Sequence, residues 1–429
     1  MENKTTIKSI KIEKLFEIFD YNIEYPADEN VLIITGPNGF GKTQVLKILY
    51  NLFNRKFTFF QTLVFENITI YLNDDISINI SKNINELEKK EVIFTILNGT
   101  EQIENFTYTT KTKTKTISSV ISRRIEDDKW LDHIDEILDR EEVISIYGDR
   151  LPDKTVNFES EKANAILDSI NVHLIREQRL FKKPSVRERH YRNKNNKMVM
   201  IETIQTYSDE LRDFISEHTQ KLFVISQSLD STYPTRLISE KQTVSKDEYD
   251  QKFAVLRDKQ NRLMKNGLYD DTQQTLEYSQ DDAKALLVYL NDLDNKLKVF
   301  DDLLAKLELF TSILNDRRFT FKSIHINRDK GFYFQTTKGT ELKLSELSSG
   351  EQHEVILLYE LIFKTSSNTL VLIDEPEISL HITWQKEFVV DLLNIIEMQK
   401  FQVLIATHSP SIINGRWDLA YNLEKEDTE

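Results

Sequence analysis

Gly36-Pro37-Asn38-Gly39-Phe40-Gly41-Lys42-Thr43 constrains this chain more than any other stretch. It follows the apolar run Val31-Leu32-Ile33-Ile34 and opens the helical pattern Gln44-Val45-Leu46-Lys47-Ile48-Leu49-Tyr50. A buried strand, a glycine-rich turn and a helix, in that order, form the setting of a phosphate-binding loop. The glycines let backbone N–H groups turn inward on a phosphate chain, and the positive end of the helix points at the same place. Asn38, Gly39, Gly41, Lys42 and Thr43 are therefore candidate nucleotide ligands, with Lys42 for the β- and γ-phosphates and the Thr43 hydroxyl for Mg²⁺. The other reading is a glycine turn without a ligand, which the flanking strand and helix disfavour.

At 429 residues the chain is too long for one core and should divide into two or three domains. A hydrophobic content of 39%, with 10% aromatic residues, excludes a disordered chain. With 10 glycines and 7 prolines it is poor in turn-formers, which favours long helices. A formal charge of −14 excludes a general nucleic-acid coat and leaves room for a local basic face. The lack of cysteine excludes disulfides, iron–sulfur clusters and thiolate zinc sites, and fits a reducing compartment. The first ten residues are polar, and no run reaches the length of a membrane span. The expectation is a soluble, cytoplasmic protein with no membrane partner.

Alternation over 7–12 and 21–25 predicts strands ahead of the glycine turn. Val45, Leu46, Leu49 and Leu52 give the following helix a core-facing stripe. Between Thr58 and Thr110 the period drops to two, and 67–72, 76–80 and 92–97 read as an antiparallel sheet covering one side of the core. The lysine–threonine run 111–116 reads as a charge-guarded edge strand rather than a nucleic-acid contact. Residues 125–138 read as a charged helix with Trp130, Ile134 and Leu138 on one side. Asn171–Ile175 is another apolar strand, ending in Arg176-Glu177-Gln178-Arg179-Leu180. Polar residues beyond a strand's carboxyl end sit where open α/β sheets bind ligands. Gln178 is accordingly a candidate Mg²⁺ or water ligand, against a plain loop glutamine. Lys182, Lys183, Arg187, Arg189, Arg192, Lys194 and Lys197 then gather against Glu188 alone; a phosphate-backbone contact and a surface loop fit them equally.

The middle of the chain is helical. Leu286, Leu290, Leu293, Leu297, Phe300, Leu304 and Leu307 recur at spacings of four and three, the seam of a coiled coil. A run from Ile204 to Leu229 has the same rhythm until Tyr233-Pro234 interrupts it, and a further helix is expected over 246–264. Two long helices with a break between them predict an antiparallel hairpin projecting roughly 40 Å. His218 on its seam reads as a packed or registering residue.

Short strands return around Ile324, Phe332 and Leu342, followed by Leu347-Ser348-Ser349-Gly350-Glu351-Gln352 and an apolar helix. A serine-capped helix start offers anion-binding N–H groups, although any such helix begins this way. Thr369-Leu370-Val371-Leu372-Ile373 reads as a buried parallel strand, and it ends in Asp374-Glu375-Pro376-Glu377. Carboxylates at the tip of a buried strand are costly unless a cation or a reaction uses them. Beside a phosphate-binding loop, Asp374 is the candidate Mg²⁺ ligand and Glu375 the residue that polarises an attacking water. The final strand, Gln402–Ala406, delivers Thr407-His408-Ser409-Pro410. His408 could sense or polarise a γ-phosphate there, whereas a lone histidine is usually structural.

In this order the motifs resemble those of the ABC-type ATPases. The resemblance makes 36–43 the P-loop, Gln178 the Q-loop, and Leu347 to Gln352 the signature, with Ser348 and Gly350 as nucleotide contacts. It makes Asp374-Glu375 the Walker B pair, Ser379-Leu380 the D-loop and His408 the switch histidine. The helical stretch between Gln178 and the signature is similar to the SMC, Rad50, RecF and OLD branch rather than to transporters. Phe16-Glu17-Ile18-Phe19-Asp20-Tyr21, Ile34-Thr35-Gly36-Pro37-Asn38-Gly39 and Ile175-Arg176-Glu177-Gln178-Arg179-Leu180 further resemble prokaryotic anti-phage defence ATPases, such as the AriA component of PARIS and the PtuA component of Septu. There are two departures. The signature reads Ser-Ser-Gly-Glu rather than Ser-Gly-Gly-Gln, and the insertion lacks the Cys-x-x-Cys of a zinc hook. Only 21 residues follow His408 in the 429, too few for the Toprim domain of OLD nucleases, so a nuclease is expected on another chain.

The resemblance implies an α/β fold: an ABC-type P-loop ATPase head, with a mixed sheet and an antiparallel β lobe, carrying an inserted antiparallel helical hairpin or coiled coil. The head halves would be 1–180 and 319–429, with the insertion at 181–318. It implies ATP and Mg²⁺, with Thr43, Gln178 and Asp374 on the metal and Glu375, His408 and Lys42 in the reaction. Because the signature of one family member faces the γ-phosphate held by another, it implies two ATP molecules between two heads, and a homo-oligomer. Two roles follow. One is an ATP-driven scaffold or sensor controlling an effector nuclease of Toprim or HNH type; the other is a DNA-clamping repair ATPase whose basic segment from Lys182 to Lys197 lies on duplex. A pure binding module is disfavoured by the presence of both Lys42 and Glu375.

Overall fold

The computed structural model of the chain describes residues 4–27, 29–73, 75–84, 90–108, 123–126, 129–131, 137–139, 158–176, 180–182, 201–269, 277–378 and 380–424. The chain divides into two compact units, residues 1–177 with 365–429 and residues 178–364.

In the first unit the continuous apolar runs pair into a five-stranded parallel sheet. Its order is Asn171–Ile175, Thr369–Asp374, Gln402–Ala406, Val31–Thr35, Ala420–Asn422. Strands covered on both faces need no polar alternation, and Val31 to Ile34, Leu370 to Ile373 and Val403 to Ala406 are each at most 1% exposed. Ala406 pairs with Ile34 on one side and with Asp374 on the other, so three strands present their carboxyl ends side by side. Open parallel sheets bind ligands at that edge.

A six-stranded antiparallel sheet runs Phe19–Glu24, Ile7–Leu15, Asn67–Leu72, Ile76–Ile84, Lys90–Asn98, Glu101–Tyr108. It takes in the two strands expected ahead of the glycine turn as well as those of the expected β lobe. Alternation puts Ile10, Ile70, Ile78 and Ile96 opposite one another on its buried face. That face shares one core with Val45, Leu46, Leu49 and Leu52 of the helix Lys42–Phe53 and with Leu32, Ile34, Leu372 and Leu404 of the parallel sheet. The helix behind the glycine turn is thus packed against hydrophobic side chains of both sheets.

The short strands Arg123–Glu126, Lys129–Leu131 and Ile137–Asp139 form a small antiparallel sheet, where the spacing of Trp130 and Leu138 suggested a helix. Those two residues are cross-strand partners in the backbone register. A separation of eight suits a helix face and a hairpin alike, and the pairing decides. Residues 111–116 lie outside the described residues.

In the second unit the short strands Phe181–Lys182 and Ile201–Glu202 pair ahead of the helices Thr203–Ser239, Lys246–Lys265, Ala283–Lys298 and Asp301–Ser312. The first helix, of 37 residues, runs through Pro234, where the sequence predicts a break. Proline costs a helix one backbone donor. Here the Arg236 guanidinium donates to Leu229 O at 2.7 Å in the disturbed turn and also grips the Asp292 carboxylate on Ala283–Lys298. The leucine seam is buried as expected, but the chain turns at Val299 and Phe300 between two helices, with Asp301 and Asp302 opening the second. Ala283–Lys298 packs on both Thr203–Ser239 and Lys246–Lys265, so three helices pack together where a two-armed hairpin was expected. His218 is a packing residue, with Nδ1 2.8 Å from Phe214 O and its ring beside Phe300.

The strands Lys322–Asn327, Gly331–Thr336 and Glu341–Leu342 and the helix Ser349–Phe363 complete this unit. Gly331, at φ 79°, allows a close approach: a Cβ there would lie 1.8 Å from Ser208 O of the long helix. Among the described residues, no helix is long and apolar enough to cross a membrane.

Candidate functional site

Val31–Thr35 ends at Gly36, and Gly39 and Gly41 then adopt φ of 92° and 84°, backbone that suits glycine and strains other residues. A side chain at position 41 would add to that strain, because its Cβ would lie 2.9 Å from Leu15 Cδ2 and the leucine would have to shift. The Tyr21 hydroxyl donates to Phe40 O at 2.8 Å and pins the turn from one side. The helix Lys42–Phe53 starts at once, so its unbonded first N–H groups border the same turn. Asn38 lies exposed within the turn.

Lys42 is 5% exposed, and its ammonium donates to Gly36 O at 2.8 Å and Pro37 O at 3.2 Å. It also lies 3.9 Å from the Glu375 carboxylate. Thr43 Oγ1 donates to Asp374 Oδ1 at 3.1 Å across a sequence separation of 331. A hydroxyl and a carboxylate oxygen in contact form a hard, all-oxygen donor set, which suits Mg²⁺.

Glu375 begins the turn after Thr369–Asp374 in a left-handed conformation, φ 45°, which costs a non-glycine residue about 1–2 kcal/mol. Its N–H donates to Ala406 O at 2.9 Å, and its Oε2 lies 2.5 Å from His408 Nδ1. Burial pushes the Glu375 carboxyl up to about 7; the neighbouring Glu377 adds to the rise and His408 opposes it. A carboxylate of that basicity can take a proton from water near neutral pH.

Glu377 was not singled out by the sequence reading, yet it is the most heavily bonded acid of the group. It is 8% exposed, and its Oε1 accepts from Thr407 Oγ1 at 2.5 Å, His408 N–H at 3.1 Å and Ser409 N–H at 3.2 Å. The available signal was a third carboxylate in the tetrapeptide 374–377, flanked by Pro376 and Ile378 in an apolar turn. One ligand-type atom from each of Glu375, Glu377 and His408 lies within 4.8 Å of the others.

The first unit therefore gathers Gly39, Gly41, Lys42, Thr43, Asp374, Glu375 and His408 at one sheet edge. Gln178, Ser379 and residues 183–197 lie outside the described residues; Lys182 closes a two-residue strand. Ser348 and Gly350 belong to the second unit. There Ser348 caps Ser349–Phe363, and its hydroxyl and N–H both donate to Glu351, which pairs with Lys322 at 2.9 Å.

The model of a family described as an AAA ATPase domain matches residues 6–413. No curated protein matches the sequence. Among solved structures, the chain is similar to an Smc head domain with an extended coiled coil from Pyrococcus furiosus, bound to the C-terminal domain of ScpA. The identity is 12% and the TM-score 0.38, over 95% of this chain and 91% of that one. It is also similar to an SMC head domain from Thermotoga maritima, at 10% identity and a TM-score of 0.32, over 95% and 90%.

Proposed function

The chain belongs to the AAA ATPase domain family, and from that premise we propose that it hydrolyses ATP at the edge formed by Val31–Thr35, Thr369–Asp374 and Gln402–Ala406. One observation carries this reading: the Thr43–Asp374 contact and the Glu375–His408 contact stand at the same sheet edge, joined by Lys42. The glycine turn and the start of Lys42–Phe53 hold the phosphates, and Lys42 offsets their charge. Glu375 takes a proton from the water whose oxygen bonds to the γ-phosphorus, while the bond to the β–γ bridging oxygen breaks and ADP leaves. Thr43 and Asp374 hold Mg²⁺, with Gln178 the further candidate; when bound, the ion neutralises charge on the phosphate oxygens. Phosphate release from ATP should stop when Mg²⁺ is chelated and should resume when it is restored. Release that survives chelation would remove Thr43 and Asp374 from the metal role.

The finer reading is an ATP-gated scaffold or sensor of the SMC/OLD-like kind, cytoplasmic and serving anti-phage defence. In it, two heads enclose two ATP molecules, Ser348 and Gly350 of each copy meet the nucleotide of the other, and the assembly restrains a nuclease on a separate chain. The basic residues from Lys182 to Lys197 favour a second reading, a DNA-clamping ATPase. Turnover stimulated by duplex DNA, and lost steeply as salt is raised, would select the clamp. Co-purification of a nuclease, with little response to DNA, would select the scaffold.

A further inference from the structure

Glu377 stands outside the roles assigned so far and is placed in an expensive position. An acid buried in a turn is retained at a cost of desolvation unless specific donors compensate it. Its donors come from three consecutive residues of one loop: the Thr407 hydroxyl at 2.5 Å, the His408 N–H at 3.1 Å and the Ser409 N–H at 3.2 Å, all on Oε1. The His408 ring is referred to that same oxygen, with Nδ1 3.2 Å from it and 2.5 Å from Glu375 Oε2. Backbone and ring of His408 are thus both located by a single atom of Glu377.

A second tie closes the frame. The Glu377 carbonyl accepts from Leu380 N–H at 3.1 Å and Gln385 Nε2 at 3.3 Å, and Gln385 Oε1 accepts from Ser409 Oγ at 3.1 Å. The turn after Thr369–Asp374, the loop after Gln402–Ala406 and the helix Ile382–Gln399 are therefore fastened at one residue. Two carboxylates lie within reach of Nδ1, an arrangement that favours a proton on that nitrogen, and the His408 side chain is 54% exposed.

We propose that Glu377 is a positioning residue: it holds the loop 407–409 so that His408 keeps Glu375 aimed for the reaction. The inference rests on the ATPase reading given above. Groups that orient a histidine, without touching substrate, act on the rate far more than on ground-state binding.

Glu377→Ala, Glu377→Gln and the unaltered protein separate the possibilities. Turnover number, ATP dissociation constant, melting temperature and hydrogen–deuterium exchange of the 407–409 amides are measured on each. In Glu377→Ala the turnover number should fall about 100-fold, with the dissociation constant unchanged within about twofold. The His408 and Ser409 amides, which donate to Glu377, should lose protection while the protein stays folded, whereas the Thr407 amide, bonded to Ile34 O, should keep it. Glu377→Gln keeps an acceptor for the three donors and should recover turnover to within about tenfold of the unaltered protein, with the amides protected again. Unchanged turnover in Glu377→Ala, or equal losses of binding and turnover, would overturn the proposal, as would a Gln variant no better than Ala. If the unaltered protein hydrolyses no ATP, the ATPase reading fails on its own. The exchange arm still decides whether Glu377 holds the loop, and undiminished protection in Glu377→Ala would overturn it.

Discussion

Gly41 and Lys42 are adjacent, and in the proposed reading each would serve the nucleotide for a different reason. Gly41 supplies a backbone at φ 84° with Leu15 2.9 Å from any added Cβ, so Gly41→Ala should distort the turn itself. Lys42 supplies charge and also donates to Gly36 O and Pro37 O of the turn, so Lys42→Ala should lose ATP together with those two ties. Fluorescent ATP-analogue binding is run beside thermal melting on both variants. Both should lose affinity by at least about tenfold, and both should lower the melting temperature. Retained affinity in Lys42→Ala would remove Lys42 from the phosphate site. Gly41, Lys42, Thr43, Asp374, Glu375 and His408 were legible in the sequence because each follows an apolar strand at its carboxyl end, where a parallel sheet gathers its chemistry. Glu377 was not, because its partners Thr407, His408 and Ser409 lie about thirty residues further along and meet it only after the strands pair.

At the scale of elements, period and run length carried most of the fold. The parallel strands were readable as uninterrupted apolar runs, and the antiparallel lobe as alternation. Two expectations failed for the same reason, that tertiary contacts outrank local signals. Pro234 sits inside a continuous helix whose Arg236 is bonded to Leu229 O and to Asp292. Trp130 and Leu138 are partners in the backbone register of two strands, not positions on one helix. The second unit allows a direct test of close packing. Gly331→Ala would place a methyl 1.8 Å from Ser208 O at a φ of 79°, and should destabilise the protein by about 2 kcal/mol or more. Denaturant unfolding measures it; a cost under about 0.5 kcal/mol would mean that the strand Gly331–Thr336 and the helix Thr203–Ser239 are not held in close contact. Asp292→Ala leaves Arg236 without its carboxylate and should cost about 1–2 kcal/mol by the same method.

For the whole molecule, the net charge of −14 sets the background against which any partner must bind. Duplex DNA can be held only through a local basic segment, so binding through residues 182–197 should weaken steeply between low and physiological salt. An effector held through ordinary protein contacts should respond much less. Either proposed role would depend on the same prior event, hydrolysis of ATP with Glu375 as the base. The most direct measurement is a single turnover of bound ATP by Glu375→Gln, with retained nucleotide and released phosphate followed in the same sample. The expected result is ATP bound as tightly as by the unaltered protein, with phosphate release slowed by about 100-fold or more. Release at the unaltered rate, with ATP fully bound, would contradict Glu375 as the group that takes the proton.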